Sequence, residues 1–308
     1  MVPLHLEIEE SFFQPEERNG YLVDSEMKKV WAVELDLLNE FSRVCKDYGL
    51  KWFAHAGTLL GAVRHHGFIP WDDDIDVTMP RKDYEKFCAI APTAFSDPYF
   101  FQSDETDPFF CRNFSRLRNS RTTGIILSEK QFHFPYNQGI FIDIFPYDNL
   151  PDDETELSHM KDRLLYLANI GWQFRNMVFF YIPKKDKGAI KRMNYFIKHL
   201  LYRYVLRSTG DYHRFLEEHH SLVTSYANEE VQRVGEMIIP PLDRHVWKKE
   251  WLESTVLMPF EMIQIPVPAA YEEILSTSFG DNWRIPIKAN TMHGTMQFDT
   301  EKPYTDYL

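Results

Sequence analysis

A chain of 308 residues that is 44% hydrophobic can bury a large core, as one elaborated domain or as two smaller ones. Its formal charge of -12 is the opposite of the cationic excess with which a general nucleic-acid binder replaces phosphate counterions, so nucleic acid is excluded as a partner. Cys45, Cys88 and Cys111 are odd in number, far apart and free of any C-x-x-C pair, which fits buried thiols in a reducing compartment better than a disulfide framework or a zinc knuckle.

The first residues carry Glu7, Glu9 and Glu10 where a secretion leader would have a basic start and an apolar run, so a cytoplasmic location is expected. Asp24 or Ser25 can cap a helix in which Met27, Val30, Trp31, Leu35, Leu38 and Phe41 recur at steps of three and four, ending near Gly49. Lys51 to His55 reads as a short strand, Gly57 to Arg64 as a turn running into a helix, Asp74 to Met79 as a strand and Arg81 to Ala91 as a helix. Short β-rich runs follow at Tyr99 to Gln102, Asn113 to Arg118, Gly124 to Leu127 and Gly139 to Ile144, expected to be strands of the same sheet. From Asp152 to about Asn228 the pattern is mostly helical. Its longest apolar stretch, near Ile170 to Ile182, is broken by Gln173, Arg175 and Asn176 and is too short to span a bilayer. The last third is punctuated by Pro240, Pro241, Pro259, Pro266, Pro268 and Pro286, which predicts irregular structure around a short helix at Ala269 to Ser278. The fold class is therefore α+β, a mixed sheet core with flanking helices and a mostly helical C-terminal layer. The divisions are an N-terminal extension at 1–22, a catalytic core at 23–150, a mostly helical region at 151–265, and a C-terminal segment at 266–308 that packs back on the site.

Chemistry concentrates at Trp71 to Val77, W-D-D-D-I-D-V. If this segment is extended, Asp72, Asp74 and Asp76 project from one face and repel one another unless a cation lies between them. Two-metal phosphoryl transfer needs two carboxylates at alternate positions, a third from a neighbouring strand and a backbone-rich turn beside the phosphates. Asp74 and Asp76 supply the pair, Asp143 sits inside the apolar run Phe141 to Phe145, and Gly57-Thr58 supplies the turn. These are the candidate catalytic and metal-holding residues, with Mg²⁺ as one or two ions and Mn²⁺ as the alternative. An EF-hand loop places aspartates at the same spacing, but Val77 stands where its sharp turn wants Gly, and Pro80 interrupts it. A solvated acidic loop would not interleave Trp71, Ile75 and Val77.

The run from Gly57 to Tyr84, G-T-L-L-G-A-V-R-H-H-G-F-I-P-W-D-D-D-I-D-V-T-M-P-R-x-D-Y, resembles the signature block of the LicD family, phosphocholine transferases with fukutin and fukutin-related protein among their relatives. R-L-R-N-S-R-T at Arg116 to Thr122, G-I-F-I-D-I-F-P-Y-D at Gly139 to Asp148 and F-G-D-N-W-R-I-P at Phe279 to Pro286 extend the likeness over roughly residues 25 to 295. The resemblance implies a nucleotidyltransferase-type core in which Gly57-Thr58 meets the donor's phosphates and Asp74, Asp76 and Asp143 hold the metals. It also implies a CDP-alcohol donor, CDP-choline first, and a glycan or glycolipid acceptor such as lipopolysaccharide or teichoic acid. The cysteine-bound zinc module of some eukaryotic relatives has no counterpart among the three cysteines.

Arg64, Arg116 and Arg118 are candidates to neutralise the donor's phosphates, ion pairing with the aspartates being the ordinary alternative. Trp71, Phe141, Tyr147 and Trp283 are candidates for the aromatic faces that a quaternary ammonium requires, with core packing the plain alternative. His65, His66 and His293 read as loop residues. Residues 184–207 hold eight Lys or Arg against the one acid Asp186, amid Ile190, Met193, Phe196, Ile197, Leu200, Leu201 and Val205. Such a stretch is either a solvated helix face or a peripheral contact with an anionic membrane, at its inner face for a cytoplasmic protein. Two rival functions use the same acidic cluster: a nucleotidyltransferase that moves the NMP itself, and a Ca²⁺-holding scaffold without catalysis.

Overall fold

The computed structural model describes residues 1–130, 132, 134–178, 188–209, 213–288 and 294–308, with the backbone alone at 172–178, 199, 202–203 and 205–209. Two short strands, β1 (Glu16–Arg18) and β2 (Tyr21–Val23), form a hairpin ahead of helix α1 (Ser25–Asp47). The Asp24 carboxylate accepts the Met27 amide at 2.8 Å and caps that helix where the sequence predicts it. Trp31, Leu35, Leu38 and Phe41 of α1 are fully buried against the sheet. Even its polar Asp36 is buried, accepting the His5 and Leu6 amides and the Tyr99 hydroxyl, so the N-terminal residues are stitched onto the helix.

Strand β3 (Phe53–Ala54) enters helix α2 (Ala56–His65), and strand β4 (Asp76–Pro80) enters helix α3 (Arg81–Ala94). Then come β5 (Tyr99–Gln102), β6 (Ser115–Asn119), β7 (Thr123–Ile126), the single turn α4 (Leu127–Lys130) and the long strand β8 (Ile140–Leu150). β8 organises the sheet. It runs parallel to β4 on one side and antiparallel to β6 on the other, and beyond Tyr147 it pairs with β9 (Arg233–Gly235), which carries β10 (Val246–Lys248) at its far edge. The order β10-β9-β8-β4-β3, with β6 and β5 joined through β8, makes a mixed seven-stranded sheet. The class is α+β, as the sequence indicates.

Two expectations change. The Gly124 to Leu127 run does form β7, but its partner is β13 (Met296–Asp299) in a separate two-stranded ribbon rather than the main sheet. At Gly124 the chain passes close to β8: a Cβ there would come within 2.9 to 3.0 Å of the Gly139 and Ile140 backbone, and the Gly124 amide donates to the Gln138 carbonyl at 2.8 Å. The proline-rich last third is also more regular than predicted. Strands β11 (Thr255–Phe260) and β12 (Ile263–Pro268) make a hairpin that tolerates Pro259, Pro266 and Pro268, because an isolated ribbon leaves half its backbone groups unpaired anyway. Helix α8 (Tyr271–Phe279) follows.

Between β8 and β9 lie helices α5 (Glu154–Val178), α6 (Ala189–Thr209) and α7 (His213–Val223). Of the basic stretch, 184–187 lies outside the described residues; the rest falls on α6, where Ile190, Met193, Phe196, Ile197, Leu200 and Leu201 are exposed together with Lys191, Arg192 and Lys198. Among the described residues no helix is long and apolar enough to cross a membrane.

Candidate active site

The acidic run is held by its apolar members. Ile75 and Val77 are fully buried, and the Trp31 indole of α1 donates to the Asp72 carbonyl at 3.0 Å while stacking on Phe68 at 4.5 Å. With Ile75 and Val77 locked inward, Asp72, Asp74 and Asp76 line one cavity of about 780 Å³. Only Asp76 belongs to a strand; residues 72–75 are an irregular lead-in, so the common face comes from anchoring and not from a pleat. Asp143 lies directly across from Asp76 in the parallel β4–β8 register, and its amide donates to the Ile75 carbonyl at 2.8 Å. All four carboxylates line the cavity.

Their partners differ. The Asp143 carboxylate takes two hydrogen bonds from Arg116, at 2.5 and 3.1 Å, and the Arg116 guanidinium lies 3.8 Å from the centre of the Phe141 ring. Ligand oxygens of Asp72, Asp73 and Asp74 lie within 4.8 Å of one another. Behind them, fully buried on α1, is Glu34: burial pushes its carboxyl well above the usual carboxylate range, and Asp74, Asp73, Asp72 and Asp76 push the same way. An all-oxygen donor set with excess negative charge fits a hard divalent cation such as Mg²⁺.

Helix α2 presents its N-terminus to the same cavity. Ala56 takes φ +42°, a conformation that costs an L-residue about 1 to 2 kcal/mol, and with Gly57 it lines the wall. A Cβ on Gly57 would stand 2.6 Å from Asp72 Oδ2, so any larger residue there would displace the Asp72 carboxylate. Thr58 has another task. It is buried, and its hydroxyl accepts the Asp76 amide at 2.8 Å, pinning the first residue of β4 rather than facing the cavity.

Arg64, at the far end of α2, donates to the Trp283 and Ile285 carbonyls at 2.6 and 3.4 Å and lines the cavity as it ties down the C-terminal segment. Trp71 and Trp283 line it as well; one face of the Trp283 ring is taken by the Arg284 guanidinium at 4.1 Å. Besides Thr58, three expected residues do not reach it. Arg118 is fully buried, bonded to Gln102 Oε1 at 2.5 Å and the Gly139 carbonyl at 2.6 Å, with burial lowering its pKa to about 9. Phe141 is buried beneath Arg116, and Tyr147 lies four residues along β8, opposite Pro80, beside Asp83 of α3. Arg118→Ala should therefore lower the unfolding free energy by about 3 kcal/mol through lost packing and two orphaned buried acceptors, read in a urea melt.

Sequence reasoning missed several lining groups. Arg112 pairs with Glu129 at 2.7 Å, and Arg244 and His245 come from a short turn after β9. They sit in irregular segments where no periodicity marks them. The apolar wall of Ile238, Ile239, Phe279, Ile285 and Ile287 was equally silent. His293 lies outside the described residues.

Residues 49–180 match the family model described as LicD/FKTN/FKRP, nucleotidyltransferase domain. The chain is 25% identical over 266 residues to the lipopolysaccharide cholinephosphotransferase LicD of Haemophilus influenzae, covering 84% of this chain and 92% of that one. An uncharacterized protein of Rickettsia typhi is 34% identical over 85 residues, 26% of this chain and 28% of its own. The matched segment runs from just before β3 through β8 and so contains Gly57, the aspartate run, Arg116 and Asp143; over these residues the chain is similar to the LicD/FKTN/FKRP nucleotidyltransferase domain.

Proposed function

We propose that this chain is a LicD-type phosphotransferase that moves phosphocholine from CDP-choline to a hydroxyl of a lipopolysaccharide-like glycan or its lipid-linked precursor, releasing CMP. One observation carries the reading: a single cavity is lined by Asp72, Asp74, Asp76 and Asp143 and also by Arg64, Arg112, Arg116 and Arg244. A purely acidic pocket would suit a cation alone, and a purely basic one a bare anion. Both together suit a diphosphate that arrives with its metal.

Asp74, Asp76 and Asp143 would hold one or two Mg²⁺, which when bound offset charge on the transferring phosphoryl group. The start of α2, with Ala56 and Gly57 at its tip, offers backbone N–H groups and the positive end of a helix dipole to the diphosphate. Arg116 and Arg112 face the charge that develops on the leaving CMP. Trp71 and Trp283 offer ring faces to a quaternary ammonium, and Ile238, Ile239 and Phe279 keep water off it. The acceptor oxygen attacks the distal phosphorus in line as its proton passes to Asp143 or to Asp76 beside it in register. The exposed apolar and basic residues of α6 support contact with an anionic membrane that presents the acceptor.

Purified protein is incubated with CDP-choline, CDP-glycerol or CDP-ribitol and a lipopolysaccharide acceptor in anionic vesicles, with Mg²⁺ or with EDTA. CMP release with CDP-choline that requires Mg²⁺, and a product heavier by phosphocholine, is the expected result. A product heavier by a nucleotide would overturn the reading in favour of nucleotidyl transfer, and absence of any turnover with Mg²⁺ present would return it to a cation-holding scaffold.

A further inference from the structure

Beside the aspartate site, and sharing no ligand with it, lies a second cluster. His55 lies between β3 and the first residue of α2, Glu236 follows β9, and His245 closes the turn Leu242–His245 before β10. The Glu236 amide donates to the His245 carbonyl at 3.1 Å, which closes the 236–245 loop and brings both side chains toward His55. His55 Nε2 lies 3.9 Å and His245 Nδ1 3.7 Å from Glu236 Oε2, and the three atoms fall within 4.8 Å of one another. His55 is 3% exposed and Glu236 0%. Each of these three atoms is buried without a hydrogen-bond partner among the described residues.

Such spacing is too long for hydrogen bonds, which would draw the atoms to about 2.9 Å. It is nearer to what a metal imposes: bonds of about 2.0 to 2.1 Å at tetrahedral angles hold ligand atoms about 3.3 Å apart, so the two histidine–carboxylate distances would contract by about 0.4 to 0.6 Å. Glu236 is pre-set for one-point ligation, because its Oε1 is taken by the Ile238 and Ile239 amides at 2.5 and 3.1 Å, leaving Oε2 aimed at the histidines. The rings of Phe145 and Trp247, each 5.6 Å from His55, wrap the cluster in an apolar shell.

We propose that His55 Nε2, His245 Nδ1 and Glu236 Oε2 form a binding site for one first-row divalent transition metal, distinct from the all-oxygen aspartate site and represented in the test by Zn²⁺. Two imidazoles and one carboxylate oxygen select a borderline cation over Mg²⁺, which prefers oxygen and retains its water. The ion would clamp the β9–β10 loop, which delivers Arg244 and His245 to the cavity, onto the entry of α2. The His55 amide donates to the Asp76 carbonyl at 3.0 Å, so the clamp would also fix the backbone beneath the first aspartate of β4.

Tag-free protein is stripped with chelator, dialysed and titrated with Zn²⁺ in excess Mg²⁺, with metal content read by mass spectrometry and ligation by zinc X-ray absorption. One equivalent bound through two imidazoles and oxygen, weakened about 100-fold or more in His245→Gln and Glu236→Gln but retained in Asp74→Asn, is the expected result. No uptake, a shell without two imidazoles, or equal binding in His245→Gln would overturn the site. Should both variants misfold, the absorption spectrum of the unaltered chain decides alone. Because none of these readouts uses phosphocholine transfer, failure here leaves the proposed reaction standing, and the reverse also holds.

Discussion

Asp76→Asn is expected to lower kcat/KM for CDP-choline-dependent transfer by about 10³-fold or more, about 4 kcal/mol of transition-state stabilisation, while leaving the unfolding midpoint nearly unchanged. The backbone at Asp76 is fixed independently of its side chain: its amide donates to Thr58 Oγ1, its carbonyl accepts the His55 amide, and β4 continues into the sheet beside β8. Asparagine keeps the shape and one acceptor but removes the charge that a Mg²⁺ needs. Initial rates of CMP release and a thermal melt on the same preparation decide the matter. Should kcat/KM stay within tenfold of the unaltered chain, Asp76 does not act in the chemistry, and the catalytic reading of the aspartate run fails with it.

Much of the fold could be read from periodicity. The α1 stripe of Trp31, Leu35, Leu38 and Phe41 is fully buried, and the strand runs around Tyr99, Asp76 and Asp143 became β5, β4 and β8. Those segments carry their own burial pattern, so local sequence suffices. What could not be read is pairing. Nothing local to Gly124 says that its strand will join β13 from the chain's other end, and nothing in Arg233 to Gly235 says that it will extend a sheet begun at Phe53. The site divides in the same way. Asp72, Asp74 and Asp76 were legible because one short segment alternates anchors with carboxylates. Arg118 misled because it shares a strand face with Arg116 two residues away, yet Gln102 and the Gly139 carbonyl hold it inside. The cluster of His55, Glu236 and His245 spans 190 positions and has no motif at all; only the β8–β9 pairing brings its halves together.

The proposed reaction adds a second duty to the ion pair that Asp143 makes with Arg116, and a pair of variants should separate the two. As a ligand its loss should reduce transfer as severely as that of Asp76. As the buried partner of Arg116 its loss should also destabilise, which Asp76→Asn should not. Arg116 is 3% exposed and Asp143 8%, and two hydrogen bonds join them. Each carboxylate oxygen has two acceptor sites, so holding the guanidinium leaves room for a cation on the same group. Asp143→Asn leaves the guanidinium buried without a counter-charge, for which about 3 kcal/mol is expected, a fall of about 5 to 10 °C in melting temperature for a chain of this size. Asp143→Asn with Arg116→Met removes both ends. Methionine can rest on Phe141, where the guanidinium sits 3.8 Å from the ring centre, so most of the lost stability should return. Activity should not return, because no side chain in the double variant restores the missing negative charge opposite Asp76. Urea melts and CMP-release rates on the three proteins form a cycle. Recovery of stability without transfer assigns Asp143 a chemical role beyond its ion pair, whereas recovery of both would make it a structural carboxylate that only positioned its neighbour.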